Sequence, residues 1–149
     1  MSIRVVLLVL MMFLGGCASQ QDKALIEAAG EGNVERMRQL IGGGANVNVV
    51  ALDDLTPLTN AAEKGQLDAV KLLIASGADV NKSVGGLSPL FFAARKGHVA
   101  IVKFLLKKNA KLTLPNVVRE SFLASVRSFG DPELLKLIED ELQGSSKKP

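Results

Sequence analysis

The strongest constraint in this chain is a repeat with a period close to 33 residues. Ala28-Ala29-Gly30-Glu31-Gly32 returns 33 residues on as Ala61-Ala62-Glu63-Lys64-Gly65, and 32 further on as Ala93-Ala94-Arg95-Lys96-Gly97. Gly44-Ala45-Asn46-Val47-Asn48 returns after 33 residues as Gly77-Ala78-Asp79-Val80-Asn81. Thr56-Pro57-Leu58 returns after 32 as Ser88-Pro89-Leu90. The shorter spacing has a visible cause. Asn48 to Thr56 is eight steps and Asn81 to Ser88 is seven, so the second connecting loop is one residue shorter. A period of this length means one supersecondary unit stacked on copies of itself.

Each unit reads as a pair of helices. Thr56 can cap a helix and Pro57 is tolerated in its first turn. Ala61 and Ala62 are small enough for close stacking. Gly65 permits a tight turn into the second helix. Leu67, Val70, Leu72, Leu73 and Ile74 supply that helix with apolar residues. Gly77 suits a left-handed helix end, and Asn109, the usual substitute, stands at the matching position of the next unit. Gly42-Gly43-Gly44 reads as a helix end and turn. No pair can bury its apolar face alone, so neighbours must stack and the ends need polar caps. Glu133, Lys136, Glu139, Asp140 and Glu141 suit a solvent-facing last helix that starts at Pro132. Residues 111–116 read as a loop.

With TPL, AAxxG, VxxLL and GADVN in this order, the chain resembles the ankyrin repeats. The resemblance covers about residues 24–142. It implies an all-α solenoid of stacked helix pairs joined by β-hairpin loops. The units are a degenerate first repeat at 24–48 without Thr-Pro, repeats at 49–81 and 82–114, and a capping repeat at 115–142, where Gly130 lies 33 after Gly97. Residues 143–149 read as a disordered tail. Three positions depart from the family. Thr59 and Phe91 stand where a His usually follows Thr-Pro-Leu, which removes the usual hydrogen bond between repeats. Ala51 replaces the hairpin Asp.

The N-terminus reads as an address. Arg4 precedes an uninterrupted apolar run at residues 5–14 (VVLLVLMMFL). Ten helical residues span about 15 Å, roughly half a bilayer core, which is too short to cross one and suits a secretory signal. Leu14-Gly15-Gly16-Cys17 resembles the lipobox of bacterial lipoproteins. That resemblance implies removal of residues 1–16 and lipidation of Cys17, with a linker at 17–23. Several acyl chains give lasting membrane attachment. Ala18, rather than Asp, after the Cys points to the outer membrane, with the array facing the periplasm.

Composition removes most chemistry. One cysteine excludes an intramolecular disulfide and thiolate clusters, and one histidine excludes a multi-His metal site. His98 follows Gly97, where the resemblance implies a structural His bonded to backbone. Asp53-Asp54 is a carboxylate pair without a third ligand nearby, so no metal or other cofactor is expected. The triple glycine lacks the Lys-Ser/Thr of a phosphate loop. A net charge of +3, with acids mixed among the lysines and no interleaved aromatics, argues against nucleic acid. The expectation is a chain that is not an enzyme.

Protein binding remains, by a monomer. The resemblance implies hairpin tips and the exposed face of the first helices as the interface. By register the tips are Leu52, Asp53, Leu55, Val84 and Leu87. The helix positions are Glu31, Glu63, Lys64, Arg95, Lys96, Ser128 and Phe129. Apolar tips in a row mark a binding surface, although they can equally pack on a neighbouring hairpin. Phe91 is open to two readings, core or binding face. The expected partner is a periplasmic enzyme such as a catalase, or a secreted effector that the chain neutralises. The alternative is a structural envelope protein touching lipid or lipopolysaccharide.

Overall fold

A computed structural model of the chain describes residues 19–51 and 55–145. Among the described residues are eight α-helices: α1 (Gln20–Glu31), α2 (Val34–Gly42), α3 (Pro57–Lys64), α4 (Leu67–Ala75), α5 (Pro89–Arg95), α6 (Val99–Lys107), α7 (Arg119–Ser128) and α8 (Pro132–Ser145). A 3-10 turn at Asn116–Val118 leads into α7. The helices form four pairs. First helices stack on first helices, α1 on α3 on α5 on α7, and α2 stacks on α4 and α4 on α6.

The caps follow the sequence. Thr56 accepts from the Thr59 amide and Ser88 from the Phe91 amide, with Pro57 and Pro89 opening α3 and α5. Thr59 completes a capping box by accepting from the Thr56 amide at 2.8 Å. Gly65 closes α3 at φ +80°. A Cβ there would stand 2.7 Å from the His98 ring, so the glycine serves both the turn and the approach of the next repeat. Asn109 is left-handed at φ +60°, as its register demands.

One continuous core runs through all four pairs. Ala28, Ala29, Ala61, Ala62, Ala93 and Ala94 are buried between the first helices. The second helices turn Met37 and Leu40, then Val70 and Leu73, then Val102 and Leu105, into the same core. In α7 the small pair becomes Val126 and Arg127, and contact between α5 and α7 is sparser than between α3 and α5. Bulk at the close-approach positions holds the fourth repeat further off.

The expected boundaries move at both ends. Helix α1 starts at Gln20, inside the expected 17–23 linker, because Ser19 and Asp22 form a capping box there. At the other end, α8 continues through Ser145, so residues 143–145 of the expected tail are helical. Residues 146–149 lie outside the described residues.

The hairpins are shorter than the β-hairpin expectation suggests. Among the described residues the β-structure is an isolated antiparallel bridge, Val84 to Leu87. It closes on Gly85 and Gly86, both with positive φ, which is the two-residue turn that matches strand twist. In the first hairpin the Ala51 amide donates to the Leu55 carbonyl at 2.9 Å.

Candidate interaction surface

Side chains join the repeats by reaching into neighbouring backbone. Asn48 donates to the Gly77 carbonyl at 3.0 Å and accepts from the Asp79 amide at 2.8 Å. Asn81 repeats this on the Asn109 carbonyl at 3.4 Å and the Lys111 amide at 2.8 Å. At the start of the array Asp22 takes the accepting half, on the Asn46 amide. Burial opposes ionisation of Asp22, but hydrogen bonds from the Asn46 amide, the Ser19 side chain and the Ser19 amide outweigh it. Its carboxyl is held below the ordinary range.

A second ladder runs behind the first helices. Gln66 donates to the Gly30 carbonyl at 3.2 Å, and one repeat on, His98 Nε2 lies 3.0 Å from the Glu63 carbonyl. His98 therefore has the backbone-bridging place expected of it. Asn60 adds a bond to the Ile26 carbonyl. Thr59, fully buried, turns its hydroxyl back on its own helix start, where it also donates to the Thr56 carbonyl. Phe91 settles into the core at 4% exposure and stacks on Phe122 with ring centres 4.9 Å apart.

These ladders hold the C-terminal ends of the first helices in one register and set their side chains in a row. Glu31, Lys64, Lys96 and Ser128 are exposed there, and Glu63 and Arg95 are half-buried. Arg95 Nη2 pairs with Glu63 at 2.8 Å, and Lys96 approaches the same carboxylate oxygen at 3.7 Å. Arg95 also lies over the rings of Phe91 and Phe92, each centroid 5.7 Å away. Phe129 is 46% exposed, and its ring rests against Gly97.

The hairpin tips are less available than the sequence suggests. Val84 is buried at 6% exposure, because the bridge to Leu87 turns it inward, so it offers no surface to a partner. Leu55 and Leu87 are half-buried, and Leu87 packs on the core. Leu52 and Asp53 lie outside the described residues, as does Cys17. The polar end cap is partly committed to its neighbour. Glu133 pairs with Lys103 of α6 at 2.7 Å, and Glu141 accepts from the Leu112 amide at 3.4 Å.

The family model described as ankyrin repeats (3 copies) matches residues 25–116. The chain belongs to the ankyrin-repeat family. No curated protein matches it in sequence. The match stops where the 3-10 turn replaces a Thr-Pro opening, so the fourth helix pair lies beyond the matched repeats. Ankyrin repeats imply a protein-binding role. Among the described residues no helix is long and apolar enough to cross a membrane, and no cluster of three His, Cys, Asp or Glu could hold a metal ion.

Sequence reading missed two features of this surface. The Ser19/Asp22 box was legible as Ser-x-x-Asp before an apolar run. The cleft where α7 stands off from α5 had a fainter signal, the loss of the Ala-Ala pair at Val126-Arg127.

Proposed function

We propose that the chain is a membrane-anchored, non-catalytic ankyrin-repeat protein that binds another protein at the bacterial cell envelope. The observation that carries the reading is the row of charged side chains presented in register by successive first helices, with Lys64, Arg95 and Lys96 at its centre. A row repeated at fixed spacing suits an extended protein surface better than a small molecule. Leu14-Gly15-Gly16-Cys17 supports anchoring through a lipidated Cys17. Since Ser19 caps α1, two residue steps separate it from Cys17, a reach of roughly 7 Å at full extension. The array then stands against the membrane, in the periplasm if the outer membrane holds the anchor. Its partner is a periplasmic enzyme, such as a catalase that it holds, or a secreted effector that it neutralises.

The test pairs two measurements on the full chain. Detergent phase partition is expected to place the wild type in the detergent phase and Cys17→Ser in the aqueous phase. Affinity capture from native envelopes is expected to retain one protein near stoichiometry. Equal partition of both forms defeats the anchor, and capture of nothing specific defeats the binding role.

A further inference from the structure

A cleft of about 230 Å³ opens where α5 and α7 stand apart, lined by Leu87, Phe91, Val118 and Phe122 with Arg95, Ser121 and Ser125. Water occupies roughly 30 Å³ per molecule, so the space takes about eight waters or one large side chain with its flanks. The apolar walls favour the side chain. The two hydroxyls that line it are committed to backbone, Ser121 to the Val118 carbonyl and Ser125 to the Arg95 carbonyl.

Arg95 is only partly used. Among the described residues its one ion pair is Nη2 to Glu63, and its buried Nε has no hydrogen-bond acceptor. A guanidinium carries five donors in a fixed fork. The Glu63 carboxylate it pairs with is shared with Lys96. On the two helices that line the cleft, Arg95 of α5 and Arg119 and Arg127 of α7 outnumber Glu120, and Arg127 is paired with Glu139 of α8 at 3.9 Å. The surroundings therefore favour a second carboxylate.

We propose that this cleft is the anchor pocket for a partner protein that inserts a large apolar side chain flanked by an Asp or Glu, whose carboxylate pairs with Arg95. The proposal rests on the protein-binding reading above and adds the chemistry of the partner. A buried apolar anchor beside an arginine is the usual composition of a binding hot spot. Close packing of α5 on α7 would have closed the space, whereas Phe122 against Phe91 props it open.

The test titrates the isotope-labelled full chain with two peptides, Gly-Phe-Asp-Leu-Gly and its Asn counterpart, and follows the Arg95 Nε–H signal and the Ser121 and Ser125 amides by NMR. The acidic peptide is expected to bind at least tenfold more tightly than the amide peptide. Arg95→Gln should erase that difference. Ser121→Trp, at an exposed position, should block both peptides while leaving the core intact. Equal binding of the two peptides overturns the proposal. So does a Ser121→Trp variant that binds as the wild type, or the absence of any shift. Envelope capture separates the two readings. A captured partner without peptide shifts leaves the binding role standing and the pocket fallen. Peptide shifts without a captured partner leave the pocket standing and the envelope role fallen.

Discussion

Gly65 and Gly44 separate two costs that one substitution usually mixes. Both have positive φ, at +80° and +92°, so Ala at either strains the backbone by roughly 1–2 kcal/mol. At Gly44 an added Cβ meets nothing, whereas at Gly65 it meets the His98 ring at 2.7 Å. Gly65→Ala should therefore cost about 1–3 kcal/mol more than Gly44→Ala in urea denaturation, the usual range for overpacking. Equal losses would mean that the ring swings away freely and that its bond to the Glu63 carbonyl contributes little. Asp22 gives a pH signature. Its folded pKa is lowered, so the stability it contributes is present above the ordinary carboxylate range and is lost as pH falls through the lowered value. The stability gap between wild type and Asp22→Asn should close on acidification, and a gap independent of pH would assign the effect to shape alone. Residue roles were legible where the period fixed the backbone, as at Asn109 and His98. They were not legible at Thr59 or Phe91, because a vacated family position can turn to a local cap or to the core, and its neighbours decide which.

Helices differ in how firmly they are held. Helix α3 has a capping box and neighbours on both sides, while α7 has no side-chain cap and meets α5 only loosely. Helix α1 is also terminal, but its own capping box and its close packing on α3 compensate. The array should open from its C-terminal end. Amide hydrogen exchange is expected to be fastest in α7 and α8, slower in α1, and slowest in α3 to α6. Faster exchange in α1 than in α7 would overturn this order. Element existence was most legible in the second and third repeats, where caps, small pairs and apolar spacing agree with one another. The ends were not, because they lack a copy to align with. Helix α1 started earlier and α8 ran later than the period predicted. The burial of Val84 was hidden for a different reason. Whether Val84 or Leu87 faces outward depends on bridging across the turn, which a 33-residue period does not specify.

At the scale of the molecule, the backbone-bridging side chains make a one-dimensional array in which one set of faces is spent on stacking and another is left for a partner. The charges of the two outward faces are therefore separable by mutation. Lys64 and Lys96 are exposed at the ends of the first helices, and their nearest acid, Glu63, keeps its shorter bond to Arg95 when Lys96 is changed. Lys71 and Lys107 are exposed on second helices, and Lys71 pairs with its own neighbour Asp68. Exposed ion pairs contribute about 0–1 kcal/mol, so neither pair of lysines holds the fold together. Lys64→Glu with Lys96→Glu should weaken partner capture at least tenfold while unfolding stays within about 0.5 kcal/mol per site of the wild type. Lys71→Glu with Lys107→Glu should leave capture unchanged. If the second-helix pair abolishes capture and the first-helix pair does not, the partner lies on the opposite face and the row at Lys64, Arg95 and Lys96 has no part in binding. If both pairs weaken capture equally, attraction is governed by net charge alone, and raising the salt concentration should then weaken the wild type to the same extent.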